Sequence, residues 1–301
     1  DGEAATGYET VGALFLATSP AEAAQLPEIQ RMVEERRTAG MGNIGEVTRL
    51  DGKQARELFP ALADVPGAIH ISGGARVDGR LLRDAMTRAA RRHGARVVQG
   101  DAALVREGDR VTGVRINGEM LAADAVLVAG GAWSNAVGDQ LGVRIPVEPQ
   151  RGQILHMEMP GAGAGRWPIL VGFHSHYMLT FPDSRVVAGA TRETDSGYDY
   201  RMTAGGVHEV LSEALRIAPG LAGATVKEIR IGLRPASPDT LPILGRAPAL
   251  ANLYLATGHG ASGLLLGPYS GAAVADLIQG KRLAADLTPF GPGRFRADLQ
   301  G

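Results

Sequence analysis

The sequence predicts a mixed α/β protein in which strand-rich and helix-bearing stretches alternate along one chain. Two strand-like runs end in glycine turns that open into helices, at residues 125–134 and 253–263. Between them, residues 147–193 carry several β-rich runs in succession. Because the two patterns alternate, no single linker is expected to separate two domains.

Composition places the chain among ordinary soluble globular proteins. It has 301 residues, of which 45% are apolar and 21% are charged. A formal net charge of −1 gives no field that would attract nucleic acid or an anionic membrane. The absence of cysteine excludes disulfides and thiolate metal sites. The longest apolar run, residues 261–275, is too short to span a bilayer, so a soluble, cytoplasmic protein is expected.

The first third of the chain predicts one buried strand and three helices. The strand covers residues 11–17, and the helices cover 20–38, 51–60 and 78–94. Asp51 and Asp78 are good N-cap residues because an aspartate oxygen accepts a hydrogen bond from a free N–H of the first turn.

The remaining elements are mostly strands. Tight turns join three predicted strands, and Asn117-Gly118 is a strong hairpin signal. The predicted strands are 95–105, 109–117, 119–129, 147–159, 168–172, 175–183, 185–193, 227–235 and 253–258. Helices are predicted over 203–217 and 268–280.

Gly258–Gly263 fits the pattern G-x-G-x-x-G between a predicted strand and a predicted helix. Such a junction points backbone N–H groups and a helix N-terminus at a negative group. Binding of NAD is rejected because only about 40 residues follow, without the second strand of a βαβ unit. A close-packed glycine turn with no ligand stays open as the alternative.

A second glycine turn, 129–134, also lies between a strand and a helix. Alone it is a weak signal, since a tight turn with Trp133 in the core explains it equally well. Together with the first turn, it suggests two walls of one dinucleotide groove.

Arg234 ends a mostly apolar strand, where a guanidinium needs a partner. That partner is either a structural carboxylate or a substrate carboxylate held by two hydrogen bonds. His174 and His176 form an H-x-H pair without an evident third ligand, so no metal site is predicted. Ser262 and His259 lack the G-x-S-x-G context of a nucleophilic serine.

Taken in order, these segments resemble the D-amino-acid oxidase superfamily, in particular the glycine oxidase, sarcosine oxidase and D-amino-acid dehydrogenase branch. The matching segments are Ala55–Pro60, Gly74–Asp78, Gly131–Ser134, Arg151–Gln153, Gly189–Glu193, Gly232–Gly245 and Gly258–Gly263. The resemblance implies an α/β FAD-binding domain interwoven with a mixed, largely antiparallel substrate-domain sheet. Residues 51–144 and 241–280 would form the FAD-binding domain, residues 8–50 and 145–240 the substrate domain, and residues 281–301 a tail.

The resemblance also implies how FAD is held, without a covalent bond. Ala103 would contact the adenine through its backbone. Ala129, Gly130, Gly131 and Trp133 would line the diphosphate and the ribityl chain. Gly258, His259, Gly260, Gly263 and Leu264 would bring the last helix to the pyrimidine edge of the flavin, where a helix N-terminus stabilises the negative charge left by hydride transfer.

The implied reaction oxidises a C–N bond of an amino acid or secondary amine to an imine, which water hydrolyses. Arg234 would hold the substrate carboxylate, and Tyr177, Arg192 and His259 are further candidate site residues. Oxygen or a quinone chain would reoxidise the flavin. A homo-oligomer is a possible assembly, and no nucleic-acid partner is expected.

The sequence departs from the family pattern in two respects. The family's N-terminal βαβ unit should precede Asp1, so this chain alone is expected to bind FAD weakly or not at all. Ala261 stands where glycine oxidase has a second arginine. Arg192 stands where it has methionine, and this arginine either replaces the lost charge or pairs with Glu193 or Asp195.

Two alternatives to an amine oxidoreductase stay open from the sequence. One is oxidation of a hydroxy acid or glycerol phosphate on the same scaffold. The other is a non-catalytic or split subunit that needs a complementing chain to bind FAD.

Overall fold

The structure is a computed structural model that describes residues 5–159, 161, 163–172 and 174–295. The chain forms two compact units. The first contains Asp1–Arg96, Gly152–Arg192 and Tyr200–Ile231, and the second contains Val97–Arg151, Glu193–Asp199 and Gly232–Gly301. This division differs from the expected domains at residues 51–96, which belong to the first unit, and at residues 145–151, 193–199 and 232–240, which belong to the second. Residues 296–301 of the expected tail lie outside the described residues.

Strands and helices alternate along the described chain. The strands are β1 (Glu9–Thr10), β2 (Ala13–Ala17), β3 (Val47–Leu50), β4 (Gly67–Ile71), β5 (Ala75–Arg76), β6 (Ala102–Glu107), β7 (Arg110–Ile116), β8 (Glu119–Ala122), β9 (Val126–Val128), β10 (Glu148–Glu158), β11 (Ile169–Gly172), β12 (Tyr177–Thr180), β13 (Arg185–Gly189), β14 (Thr225–Ala236), β15 (Ile243–Arg246) and β16 (Leu253–Thr257). The α-helices are α1 (Pro20–Ala23), α2 (Leu26–Thr38), α3 (Gly52–Leu58), α4 (Gly79–Arg92), α5 (Ser134–Asp139), α6 (Ala204–Ile217) and α7 (Gly263–Ile278).

Capping side chains fix the starts of four helices among the described residues, and at α1 the Ser19 hydroxyl accepts a hydrogen bond from the Glu22 N–H. Asp51 forms a reciprocal capping box with Gln54, which confirms the predicted start of α3. The Asp78 carboxylate accepts hydrogen bonds from the N–H groups of Arg80 and Leu81, and the Thr203 hydroxyl accepts one from Gly206. Each cap satisfies N–H groups that have no partner inside the helix.

The predicted helix over residues 20–38 is two helices instead of one. The chain breaks between α1 and α2 at Ala24 and Gln25. Pro27 lies in the first turn of α2, and its ring nitrogen has no hydrogen to continue the preceding helix. The sequence signal for this break was therefore present in Pro27.

The first unit is built on an eight-stranded sheet with the order β14-β10-β13-β12-β11-β2-β4-β3. Strands β11 and β2 are parallel, whereas β10–β13, β12–β13, β11–β12, β2–β4 and β3–β4 are antiparallel. Alternate residues such as Leu155 and Met157 on β10 and Leu14 on β2 pack with residues of α3 and α6 in the main core. On β2 and β4, Ala17 and Ile69 pack with Leu26 of α2 in a separate small core.

The second unit contains two three-stranded sheets, with the orders β15-β16-β9 and β6-β7-β8. Asn252 lies just before β16. Its side chain accepts a hydrogen bond from the Val111 N–H at 2.9 Å and donates to the carbonyl oxygens of Val111 and Asp124 at 2.7 and 3.0 Å. This buried amide therefore fixes β7 and the segment before β9 against the start of β16. The predicted turn at Asn117-Gly118 is confirmed by positive φ angles of 51° and 85°.

Several elements differ from the sequence-based predictions. Residues 96–101 form no strand, and β6 begins only at Ala102. Helix α7 begins at Gly263, earlier than the predicted start at residue 268, and contains Pro268. The short strands β1, β3, β4, β5 and β15 were not predicted. They have two to five residues each, too few to show a clear period.

Helix α7 also differs from the expectation that the longest apolar run is too short to span a bilayer. With the turn before it, Gly260–Ile278 is long and apolar enough to cross a membrane by length and composition, which is weak support for a membrane span. Its exposed apolar side chains are Leu264, Leu265, Leu266 and Tyr269.

Candidate functional site

The two glycine turns lie side by side in the second unit. Strands β9 and β16 are parallel neighbours, with Leu253 opposite Val126 and Leu255 opposite Val128. Their carboxyl ends therefore meet at one edge of the sheet, where residues 129–134 and 258–263 follow. In α/β sheets, this edge is where ligands bind.

Two buried hydroxyl groups tie the turns together. The Ser134 and Thr257 hydroxyl oxygens lie 2.6 Å apart, and both lie within hydrogen-bond distance of the Gly131 carbonyl oxygen, at 2.8 and 3.2 Å. One hydroxyl can donate to the other, which then donates to the carbonyl. Both residues are buried, so the loss of one hydroxyl would remove the bond between the two turns and leave the other hydroxyl bound to the Gly131 carbonyl alone.

The glycines of the two turns serve different purposes. Gly131 and Gly260 have φ angles of 55° and 52°, and a Cβ at either position would meet no atom within 4 Å. Their backbones are therefore open to close approach by a ligand. At Gly258, φ is 73° and a Cβ would lie 3.0 Å from Ile243 Cγ1, so backbone conformation and packing together account for that glycine.

The N-terminus of α7 lies at the end of the Gly258–Gly263 turn, where the short 3₁₀ helix Gly260–Ser262 leads directly into it. Its N-cap residue, Ser262, makes no side-chain capping bond, and its hydroxyl donates to the His259 carbonyl at 2.7 Å. The first N–H groups of a helix have no partner within the helix, and they carry a partial positive charge. This end of α7 can therefore stabilise a negative group.

Trp133 provides an aromatic surface at the glycine turn of residues 129–134. It is 46% exposed, so it is not the core residue that one reading of the sequence allowed. Its ring stacks on Tyr198 with centroids 5.9 Å apart and planes 22° apart. The Tyr198 hydroxyl donates to the Ala132 carbonyl at 3.1 Å and so holds the 193–199 segment against the turn.

Arg151 fixes the 193–199 segment at its other end. Its guanidinium lies 2.6 Å from Glu193 Oε2 and 2.8 Å from Asp199 Oδ2. The backbones of Arg151 and Glu193 also exchange N–H···O bonds of 3.0 and 2.9 Å. Hydrogen bonding to Glu193 raises the pKa of Arg151, which therefore stays charged.

Arg234 lies near the Gly258–Gly263 turn. It is half-buried on β14, two residues before Ala236, which forms an antiparallel bridge with His259. Side chains two residues apart on a strand leave by the same face. The structure therefore places the candidate carboxylate-binding residue beside Gly258–Gly263.

The His259 ring is held inside the second unit. It is buried, and its Nε2 lies 2.9 Å from the Ser270 hydroxyl oxygen on α7. Burial lowers the pKa of His259, so its ring is neutral near pH 7. The contact with Ser270 therefore positions the His259 ring against α7. Leu264, the other candidate on this helix, is 55% exposed at its start.

Tyr177 and Arg192, the other candidate catalytic residues, belong to the first unit. Tyr177 pairs with Gly189 across β12 and β13, and a Cβ at Gly189 would lie 2.9 Å from the Tyr177 hydroxyl oxygen. The ring therefore lies over this glycine. Arg192 is exposed and forms no ion pair among the described residues. Its suggested partner Glu193 is bound by Arg151 instead.

The other residues considered in the sequence analysis do not lie on the strands that carry the glycine turns. Ala103 is on β6 opposite Arg115, in the separate β6-β7-β8 sheet. His174 lies outside the strands, with its Nδ1 3.2 Å from Glu213, and His176 Nε2 lies 3.3 Å from Glu209. In the part of the chain that the structure describes, no group of three or more potential ligands could hold a metal ion.

Sequence reasoning missed the Ser134–Thr257 pair, the Arg151 network and Tyr198. Ser134 and Arg151 were noted only as parts of family motifs. A Thr at the end of the strand that precedes G-x-G-x-x-G was the available signal for Thr257. Nothing local to Tyr198 indicates its stacking partner, which is 65 positions away in the sequence.

Comparison with known proteins agrees with this geometry. The family model described as "FAD dependent oxidoreductase" (DAO) matches residues 2–277. The uncharacterized oxidoreductase YurR of Bacillus subtilis (strain 168) is 45% identical over 293 residues, which cover 97% of this chain and 78% of YurR.

Two solved structures share the fold. Iminodiacetate oxidase from Chelativorans sp. BNC1 is 44% identical, with a TM-score of 0.91, over 97% of this chain and 78% of that chain. Glycine oxidase from Geobacillus kaustophilus is 30% identical, with a TM-score of 0.82, over 96% and 76%. With a family match over most of its length, this chain belongs to the DAO family of FAD-dependent oxidoreductases.

Proposed function

We propose that this protein oxidises a small carboxylate-bearing amine with FAD, converting a C–N bond to an imine that water then hydrolyses. The observation that carries the proposal is the pair of open glycine turns beside the N-terminus of α7. Family membership supports the reaction class.

The residues at the glycine turns fit a non-covalently bound FAD. The open faces of Gly131 and Gly260 admit a phosphate or ribityl chain close to the backbone, and Trp133 supplies an adjacent aromatic surface. When bound, FAD supplies the hydride acceptor. The N–H groups at the start of α7 then stabilise the negative charge that hydride transfer leaves. The proposed adenine contact at Ala103 rests on the family resemblance alone.

Arg234 binds the substrate carboxylate in this proposal. A guanidinium forms two parallel hydrogen bonds to a carboxylate, which fixes orientation as well as position. The amine reacts in its neutral form, so its own lone pair assists the loss of hydride. No acid or base side chain is required. This agrees with the assignment of His259 to a positioning role.

The substrate class follows from the relatives. Iminodiacetate is a secondary amine with two carboxylates, and glycine is a primary amine with one. We therefore propose iminodiacetate-like amines first and glycine second. Tyr177 and Arg192 stay candidate substrate contacts. Arg192 is exposed and forms no ion pair among the described residues. Oxygen or a quinone is the proposed electron acceptor in a cytoplasmic enzyme.

A substrate panel tests this function. The flavin-loaded protein is assayed with iminodiacetate, N-methylglycine, glycine and lactate, with an artificial dye as acceptor so that the natural acceptor does not matter. We expect turnover with the amines and none with lactate. Turnover with lactate alone would replace the proposal with the hydroxy-acid alternative.

A further inference from the structure

A second cleft in the second unit is not used by the proposed reaction. Its volume is about 490 Å³, which is within the usual size range of small-molecule sites. Its lining residues are Leu244–Pro248, Leu250, Ala251, Leu277, Leu283, Asp286–Thr288 and Gly291–Gly293. It therefore lies between the β15 edge of the sheet, the end of α7 and the C-terminal segment.

Within this cleft, Arg246 lies at the end of β15 that points away from the glycine turns. In the β15–β16 pair, Ile243 faces Thr257, whereas Arg246 faces Tyr254. Thr257 immediately precedes the first glycine turn, and Arg246 lines the cleft. Three strand steps correspond to roughly 10 Å, so the cleft is separate from the flavin turns.

The walls of the cleft are mostly apolar, with one free cation. The aliphatic lining includes Leu244, Leu250, Leu277, Leu283 and Leu287. Arg246 is exposed and forms no ion pair or hydrogen bond among the described residues. An apolar cleft with a single unpaired guanidinium suits an anion that carries an apolar body.

The acidic residue of the lining is already engaged. The Asp286 carboxylate accepts a hydrogen bond from the Thr288 N–H at 2.8 Å. Hydrogen bonds from the Thr288 hydroxyl and backbone lower the pKa of Asp286. The Asp286 carboxylate therefore stays ionised and bound to the turn at Thr288, and Arg246 is the side chain of the lining whose N–H groups can bind a ligand carboxylate.

We propose that this cleft binds a small apolar monocarboxylate, with the carboxylate on Arg246 and the hydrocarbon body against the leucines. The site is independent of the substrate site, because the Arg246 end of β15 is remote from Gly258–Gly263. It accordingly provides a second ligand site on this oxidoreductase.

Titration calorimetry of the flavin-loaded protein with hexanoate, 1-hexanol and hexylamine tests the proposal. Hexanoate should bind at one site, and hexanol and hexylamine should each bind at least fivefold more weakly. Arg246→Gln should weaken hexanoate binding at least fivefold. The matched control Arg282→Gln changes an exposed arginine that does not line the cleft and should leave binding unchanged.

A competition experiment separates this site from the substrate site. Hexanoate affinity should stay the same when an amine that reduces the flavin is present anaerobically at saturation. The proposal is overturned by no measurable hexanoate binding, by equal binding in Arg246→Gln, by preferred binding of the amine probe, or by displacement of hexanoate by the substrate. An unchanged visible flavin spectrum and circular dichroism in Arg246→Gln establish that the variant is folded.

Discussion

Replacement of Arg234 tests the proposed contact between its guanidinium and the substrate carboxylate. Removal of a charged hydrogen-bond partner costs about 1.5–3 kcal/mol, so Arg234→Ala should raise KM for a carboxylate-bearing amine roughly 10- to 100-fold. Steady-state kinetics measures this change. Arg110→Ala alters an exposed arginine at the start of β7 and should leave KM unchanged. An unchanged KM in Arg234→Ala would remove this residue from the substrate site.

Thr257 tests the tie between the glycine turns. Thr257→Val removes a hydroxyl that lies 2.6 Å from the buried Ser134 hydroxyl, so we expect a loss of about 1–2 kcal/mol in the free energy of unfolding and weaker FAD binding. Thr180→Val is the matched control, because it removes a buried hydroxyl bound to the Trp167 carbonyl in the other unit. The control should lose similar stability, measured by urea unfolding, yet keep its FAD affinity. Equal FAD affinity in both variants would contradict the role of Thr257.

At the level of elements, the starts of α3 and α4 and the two strand–glycine–helix junctions were predictable from the sequence, whereas long-range pairings were not. Asp51, Asp78 and the two glycine turns act through neighbours a few residues away, so their pattern is visible in the sequence. The stacking of Tyr198 on Trp133 and the ion pair of Arg151 with Asp199 join distant segments. Such contacts depend on the tertiary fold, and no local periodicity of the sequence indicates them.

The open face of the second turn can be tested with two glycines of similar backbone conformation. Gly131 and Gly142 have φ angles of 55° and 66°, and a Cβ at either position meets no atom within 4 Å. Backbone strain should therefore lower the free energy of unfolding of both alanine variants by a similar amount, about 1–2 kcal/mol. Only Gly131→Ala should lower FAD affinity, by roughly tenfold or about 1.4 kcal/mol, because only its Cβ enters the cofactor space. Fluorescence titration with FAD measures both, and an equal effect would indicate strain alone.

For the whole molecule, a buried histidine should make stability depend on pH. His156 on β10 is buried, and neither ring nitrogen has a hydrogen-bond partner. Burial lowers the pKa of His156 from 6.5 to about 4, with Arg230 contributing to the shift. A histidine whose pKa is depressed by folding binds protons more readily when unfolded. Its contribution is therefore fully present above pH 6.5 and is lost as the pH falls toward about 4.

Replacement of this histidine should flatten that dependence. His156→Leu should reduce the slope of unfolding free energy against pH by up to about 1.4 kcal/mol per pH unit within that window, the limit for one proton. Urea unfolding at a series of pH values measures the slope. His208→Leu alters an exposed histidine on α6 and is the control. Equal slopes in the wild type and His156→Leu would refute the assignment.

The central claim is that this protein holds one FAD at the two glycine turns and uses it to oxidise a carboxylate-bearing amine. Anaerobic titration of the flavin-loaded protein with iminodiacetate, followed in the visible flavin absorbance, tests it most directly. We expect full bleaching of the bound flavin by a stoichiometric amount of amine, and a much slower reaction in Arg234→Ala. A bound flavin that no amine of the panel reduces would contradict it.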